Sequence, residues 1–287
     1  MESNEPEVAE SQTASEEQLL QACSDGDIST LQRHVHSLSK LDGSVPSSWP
    51  SSQKALFKQM LLAAIAAQST ETTSYLLTTF PQMSIREDSI LLAALETRSI
   101  PILTILLQHE PTVINHELEG MTTLLTTSFS SADPAIPEFL LDNGADPNLG
   151  TVAHMSPLFF AIGAQQPLPV INKMVEKGAD ARKDRLAITE AVRTGRADVL
   201  GVLADAGADV NDNGGREGGE LLHLAVKDGK VDVVRLLIEK KADLGRVNEQ
   251  GQTAYEVARA KGLNEISEML KRKKGRFSWQ FWRKGRS

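Results

Sequence analysis

One stretch of the chain has the residue types and spacing of a calcium-binding loop. Oxygen-bearing side chains stand at its first, third, fifth and twelfth positions: Asp209, Asn211, Asn213 and Glu220. With Gly214 at the sharp turn, this order satisfies the pattern D-x-[DN]-x-[DN]-G-x5-E, whose oxygens suit a hard cation. Arg216 opposes that interpretation, because such loops place an apolar residue there, and the sequence has no second loop to pair with it. We therefore predict no metal site and assign the stretch to an ordinary loop of a repeat.

The other residues that could do chemistry are isolated from one another. His34 and His36 lie two positions apart, so on a helix they face different directions and are poor joint ligands. Cys23, the single cysteine, has apolar neighbours, which is typical of a small buried side chain, and one cysteine excludes an intrachain disulfide and a CxxC metal site. The sequence contains no Walker loop, dinucleotide fingerprint, HExxH or GxSxG motif. We predict a non-enzymatic protein with no cofactor and no small-molecule substrate.

The elements that carry these residues recur along the chain. A phrase that follows an amphipathic helical run occurs four times: Gly144-Ala-Asp146, Gly178-Ala-Asp180, Gly207-Ala-Asp209 and Lys241-Ala-Asp243. Glycine just past such a run favours the left-handed end of a helix. A second helical run before each phrase has a small residue at a fixed place. These small residues are Ala22, Ala64, Ala94, Thr127, Ala161, Ala191, Ala225 and Ala258, and six of their seven intervals are 30–34 residues.

This pattern resembles the ankyrin repeat, a β-turn followed by two antiparallel helices with the signature Thr-Pro-Leu-His-x-Ala. The signature reads here Ser156-Pro-Leu-Phe-Phe-Ala161, Glu220-Leu-Leu-His-Leu-Ala225 and Thr253-Ala-Tyr-Glu-Val-Ala258. The glycine that ends the first helix is kept at four places and replaced at four others, in order Gly26, Gly195, Gly229, Gly262 and Gln68, Arg98, Ser131, Gln165. The resemblance implies an all-α solenoid of about eight helix-turn-helix units. It also implies that His223, at the signature histidine, hydrogen-bonds a loop backbone.

Composition changes along the chain predict its domain organisation. Residues 1–15 are acidic and are predicted to be a disordered leader, and residues 16–274 form the repeat array. A Ser- and Pro-rich insertion at 37–52 explains the one long interval, and residues 275–287 form a basic-aromatic tail. The longest apolar run, Met60 to Ala67, is far short of the roughly 20 residues that span a bilayer. The acidic start is not a secretory signal, so we expect a cytoplasmic protein, with the nucleus as an alternative.

The tail and the body have opposite charge. Residues 271–287 hold eight Lys or Arg and no acid, whereas the other 270 residues hold 22 bases and all 38 acids. Four aromatic residues lie among the tail bases: Phe277, Trp279, Phe281 and Trp282. Such a segment suits an anionic membrane surface, a groove on a partner or, through Lys271 to Lys274, a nuclear address. It could equally fold back on its own acidic array or cap the last helix.

The resemblance implies a concave face lined by variable loop and first-helix residues. On this sequence the candidate partner-binding residues are Met121, Phe129, Met155, Arg182, Lys183, Arg185, Arg193 and Lys227. Large apolar residues beside arginines are typical of interface anchors. The alternative is that Phe129 packs inside its repeat and that the charges are merely solvated.

These observations together predict a monomeric, non-catalytic adaptor. Its concave face would bind a protein partner through an acidic or mixed apolar-acidic segment, and nucleic acid is not expected as a partner. A second hypothesis is a peripheral membrane or nuclear regulator that uses the tail as an anchor or address.

Overall fold

A computed structural model describes residues 16–39, 51–120, 122–150, 155–211 and 221–271. The chain divides into two compact units, Met1–Glu119 and Gly120–Ser287. Within the described residues, sixteen α-helices follow one another in eight pairs joined by short turns, and no strand is formed. The predicted all-α class of about eight helix-turn-helix repeats is therefore confirmed.

The first unit contains three helix pairs. The first helix of each pair is α1 (16–25), α3 (Ser51–Ala66) or α5 (Asp88–Thr97), and the second helices are α2 (Ile28–Ser39), α4 (Thr70–Thr79) and α6 (Ile100–His109). A 3₁₀ turn, Pro111–Asn115, follows α6. α3 packs on α5 and α4 on α6, so like helices stack on like helices. The insertion differs from the prediction at both ends, since α2 continues to Ser39 and α3 begins at Ser51.

The second unit contains five pairs with the same stacking. Its first helices are α7 (Leu124–Ser128), α9 (Pro157–Gly163), α11 (Arg185–Thr194), α13 (Leu221–Lys227) and α15 (Ala254–Ala260). Its second helices are α8 (Ala135–Asp142), α10 (Leu168–Glu176), α12 (Ala197–Asp205), α14 (Val231–Glu239) and α16 (264–271). The first helices α9, α11, α13 and α15 pack in sequence, and so do the second helices α8, α10, α12 and α14.

A left-handed residue follows the first helix in seven of the eight repeats and the second helix in four of them. After the first helix, the four retained glycines have φ between +66° and +78°, and Gln68, Arg98 and Gln165 adopt the same region at +55° to +58°. Ser131 does not, so the fourth repeat turns differently. After the second helix, the three glycines of the repeated phrase and Lys241 are also left-handed. The left-handed region costs a residue with a Cβ roughly 1 kcal/mol, so the four non-glycine positions hold local strain.

The small residues lie where the helices stack most closely. The seven alanines of the series are each at most 4% exposed, whereas Thr127 is only half-buried. The fourth repeat begins its first helix at the N-cap Thr123, so Ser128, 8% exposed, is the residue at the signature alanine. The choice of Thr127 was wrong by one residue, because neighbouring threonines and serines in this repeat obscure the register.

Hydrogen bonds connect the loops of successive repeats. We call the loop between one pair and the next a finger. In the second unit, Asn148 Nδ2 donates to the Gly178 carbonyl oxygen at 2.9 Å and Oδ1 accepts from the Asp180 N–H at 3.0 Å. Asn211 Oδ1 likewise accepts from the Asp243 N–H at 2.7 Å. These amide links fix each finger against the following one.

The first unit makes an equivalent link with a carboxylate. Glu110 accepts hydrogen bonds from the Ile85 N–H at 3.0 Å, from Ser84 Oγ at 3.1 Å and from Arg86 Nε at 2.6 Å. Burial alone would raise the pKa of Glu110, but these three donors outweigh it and hold the pKa below its ordinary value. The finger at residues 84–86 is therefore fixed by an ionised group.

Candidate partner-binding surface

The structure places two predicted basic residues on the finger before α11 and a third at the first position of that helix. Arg182, Lys183 and Arg185 are all exposed. Lys183 Nζ lies 2.9 Å from Asp180 Oδ2, an exposed pair that stabilises little. Arg182 lies across the next finger, because a Cβ added at Gly207 would come within 2.6 Å of its Nε. Gly207 is therefore favoured by its positive φ, and a Cβ there would also displace the flexible side chain of Arg182.

The predicted apolar patch does not form as expected. Phe129 is 3% exposed and follows α7 in the interior of its repeat, so its assignment as a surface contact was wrong. The cause is the register of this repeat: Phe129 directly follows the small residue Ser128, as the buried Val192 follows Ala191 in the sixth repeat. Met155 is half-buried, and Met121 lies outside the described residues.

Two aromatic residues that the sequence analysis passed over occupy the first helix of the fifth repeat. Phe159 and Phe160 are both half-buried, and their rings pack edge to face with centroids 5.6 Å apart. They stand at the signature histidine and at the variable position beside it. The departure from the signature at these two positions was the signal that could have identified them.

Arg193 is exposed, yet its charge is tied to a buried acid. Its Nε lies 2.9 Å from Oε2 of Glu190 and its Nη2 lies 3.1 Å from Oε1, a two-point contact. The Glu190 side chain is 6% exposed and that of Arg193 is 66% exposed. The hydrogen bonds that Arg193 donates to Glu190 are the main reason that the pKa of Arg193 is raised, and the charge of Asp228 adds to this effect. Arg193 is thus both a surface charge and the partner of an interior carboxylate.

Bases gather at the C-terminal ends of three consecutive first helices. The last turns of α11, α13 and α15 each contain one, namely Arg193, Lys227 and Arg259, whereas α3, α5, α7 and α9 have none. Lys230 Nζ would lie 3.3 Å from a Cβ at Gly195, and Lys261 Nζ donates to the Lys227 carbonyl oxygen at 3.0 Å. We call these five residues the basic rim. Of these five, only Arg193 and Lys227 were predicted from the sequence.

First and second helices of the second unit differ in charge. From α9 to α15 the first helices contain four bases and only two acids, Glu190 and Glu256, and both acids are engaged within their own helix or its cap. The second helices from α10 to α16 contain three bases and seven acids: Glu176, Asp198, Asp205, Asp232, Glu239, Glu265 and Glu268. One face of this unit is therefore basic within an acidic protein.

Among the remaining predicted sites, the role of His223 is confirmed, and several others lie outside the described residues. His223 is buried and its Nε2 donates to the Gln252 carbonyl oxygen at 2.9 Å, as the resemblance implied. Asp209 Oδ1 accepts from the Asn211 N–H, and Asn211 Oδ1 is used in the finger link, while residues 212–220 lie outside the described ranges. Phe277, Trp279, Phe281 and Trp282 also lie outside them.

Cys23 is fully buried, and this burial raises the pKa of its thiol to about 12. A thiol with such a pKa is protonated at neutral pH and is a poor nucleophile. None of the helices in the described part of the chain is long and apolar enough to cross a membrane.

Comparison with known proteins supports the repeat assignment. A sequence model of the family described as "Ankyrin repeats (many copies)" matches residues 203–258. Two curated relatives, the protein phosphatase 1 regulatory subunit 12A of Mus musculus and that of Rattus norvegicus, are each 35% identical over 92 residues. The match covers 32% of this chain and only 9% of each relative. The chain thus spans a small part of the length of these relatives.

Proposed function

From the premise that the chain carries ankyrin repeats, we propose that it is a non-catalytic adaptor that binds a partner protein on the first-helix face of its second unit. The charge difference between first and second helices carries this proposal. A face with four bases and half-buried aromatics offers the arginine and aromatic contacts that dominate protein interfaces.

The two relatives are named as regulatory subunits, which supports a regulatory role over a catalytic one. The match covers too small a fraction of the two relatives for their targets to be assigned to this chain. The partner of this chain is therefore argued from its own surface. A face rich in Arg and Lys favours an acidic or mixed apolar-acidic segment through charge complementarity.

Cross-linking mass spectrometry on the full chain in cell extract tests the proposed face. The variant Lys227→Glu with Arg259→Glu reverses two exposed charges of first helices. The matched control Lys177→Glu with Lys241→Glu makes the same change in charge just after the second helices α10 and α14. We expect partner cross-links on the first helices of the wild type and of the control, and their loss in the face variant. Equal cross-linking of all three proteins would contradict the proposal.

The tail supports a second candidate function, a peripheral membrane or nuclear regulator. Residues 271–287 combine eight bases with four aromatic residues, a composition suited to an anionic interface. A fluorescent reporter fused to residues 270–287 tests this candidate. Recruitment to the membrane or nucleus, lost when Trp279 and Trp282 become Ala, supports it. A uniformly distributed reporter assigns the function to the repeats alone.

A further inference from the structure

The basic rim provides an exposed base in each of three consecutive repeats. We propose that this rim binds an extended acidic segment of the partner protein, with one carboxylate at each repeat. This inference rests on the proposed function and specifies the kind of segment that the first-helix face accepts.

The spacing of the repeats determines the spacing of the acids. α11 packs on α13 and α13 on α15, and packed helices lie about 8–10 Å apart. A chain in the extended polyproline II conformation advances about 3.1 Å per residue and has three residues per turn, so every third side chain lies on the same face about 9 Å further along. A segment with an acid at every third residue can therefore place one acid beside each of Arg193, Lys227 and Arg259.

Arg193 is the anchor of this surface because its orientation is fixed. Glu190 accepts from Nε and Nη2, so Nη1 is not used by that pair, and the Arg193 side chain as a whole is 66% exposed. The equivalent residues in the neighbouring repeats are Phe160 and Leu224, so packing alone does not require an acid at this position. A buried ion pair is often no more stabilising than apolar residues of the same volume. Glu190 is therefore a positioning residue for the guanidinium.

The helix dipole alone does not account for these bases. A base in the last turn of a helix is favoured by the helix dipole. However, α3, α5, α7 and α9 form without one, so the fold does not need it. Asp228, an exposed acid next to Lys227, adds to the raised pKa of Arg193, so an incoming carboxylate would compete with it for the guanidinium.

Charge also selects a protein segment over a nucleic acid. The chain has a net charge of −8, and the second helices of this unit are acidic. Screening over about 10 Å confines the attraction of the rim to a short ligand that lies on it. A long phosphate backbone would extend past the rim and meet the acidic second helices, whereas a short acidic segment would not.

Fluorescence anisotropy on the full chain at low salt tests the spacing. The first probe is a labelled nine-residue Gly/Ser peptide with Glu at positions 2, 5 and 8, and the second has the same composition with the three Glu adjacent. We expect the spaced peptide to bind about tenfold tighter, which corresponds to about 1.4 kcal/mol. Lys227→Gln and Arg259→Gln should each weaken it several-fold, whereas the control Lys177→Gln should not. Equal affinity for both peptides, or no effect of the two rim variants, overturns the proposal.

Two further arms separate the alternatives. A thymidine tetranucleotide with three phosphates should bind more weakly than the spaced peptide, and equal or tighter binding would make the rim a general anion surface and overturn the assignment. Glu190→Leu, which copies the residue at Leu224, should keep the melting temperature and weaken the spaced peptide at least threefold. Unchanged affinity in that variant would remove Glu190 as a positioning residue. If the peptides fail this test while cross-links on the first helices persist, the adaptor function stands and only the spaced acidic segment is wrong.

Discussion

The two units connect their fingers with different chemistry. In the first unit the link is the carboxylate of Glu110, which accepts from two backbone or hydroxyl donors and from Arg86. In the second unit the links are the neutral amides of Asn148 and Asn211. An amide donates and accepts without a charge, whereas a carboxylate must stay ionised. The amide links of the second unit should therefore not depend on pH, whereas the carboxylate link of the first unit should.

The turns before the second helices differ in a similar way. At the fifth residue after the small residue, the first unit has Ser69 and Ser99, which cap their own helices by accepting from backbone N–H groups. The second unit has Gln166 and Arg196 there. Gln166 donates to the Ser131 carbonyl oxygen and Arg196 donates to that of Gln166, so each reaches the preceding repeat. At this position the residues of the first unit bond within their own repeat, whereas Gln166 and Arg196 of the second unit bond to the preceding repeat.

A matched pair of core substitutions should give the largest effect on this comparison. Leu106 in α6 and Leu203 in α12 are each 1% exposed and occupy the seventh position of their helices. Each change to Ala should cost about 3 kcal/mol through lost burial and a cavity. Hydrogen exchange resolved by mass spectrometry should show the loss confined to the unit that carries the change. Equal loss of protection in both units would mean that they unfold as one.

Charge reversal at Arg193 should have the next largest effect. Arg193→Glu removes the partner of the buried Glu190 and places a second carboxylate beside it, so we expect about 2 kcal/mol of destabilisation after allowance for the exposure of Arg193. Lys227→Glu, at the matching position of α13, should stay within about 0.5 kcal/mol. Urea unfolding measures both. Equal costs would show that the pair with Glu190 is not special.

Acid should weaken the link of the first unit. Because the pKa of Glu110 is depressed in the folded chain, its contribution is present above the ordinary carboxyl pKa and is lost as pH falls through the lower, folded value. Glu110→Gln should cost about 1 kcal/mol near neutral pH and nothing once the wild-type carboxyl is protonated. Asn148→Asp is the reciprocal variant and should add acid sensitivity to the second unit. A cost for Glu110→Gln that is the same at every pH would contradict this account.

Relief of backbone strain should have the smallest effect. Gln68→Gly and Arg98→Gly put glycine at two left-handed positions of the first unit, where the present residues have φ of +55°. Each should stabilise the unit by about 0.5 kcal/mol, since the gain at the turn exceeds the added entropy of the unfolded chain. Gly195→Ala, the reverse change in the second unit, should destabilise it. Thermal unfolding checks the signs, and a lower melting temperature for either glycine variant would be evidence against strain.

The period of the small residues was enough to predict the fold. Alanine packing and a left-handed turn repeat with the helix pair, so both can be read from spacing even in the first unit, where the signature is absent. Register was harder in the fourth repeat, because its run of Thr and Ser supplies several small residues in succession. A one-residue error there also led to the wrong placement of Phe129.

The candidate surface was only partly predictable. Exposure of Arg182 and Lys183 follows from their place in a finger, but the pairing of Arg193 with Glu190 depends on how deeply one turn of α11 is buried. Lys230 and Lys261 were missed because each belongs to a turn by sequence and joins the basic rim only when the repeats stack. The polar contacts of Lys230 and Lys261 with the preceding repeat leave no periodic trace in the sequence, unlike the alanines that pack between stacked helices.

The buried Cys23 allows local unfolding of the N-terminal repeat to be measured directly. Its thiol is shielded in α1 and nearly all protonated at neutral pH, so a thiol reagent can modify it only in molecules whose first helix pair has separated. Since the chain has one cysteine, the rate of modification divided by that of an unfolded thiol gives the fraction of time spent open. The wild-type sequence thus reports the dynamics of its own N-terminal repeat without an added label.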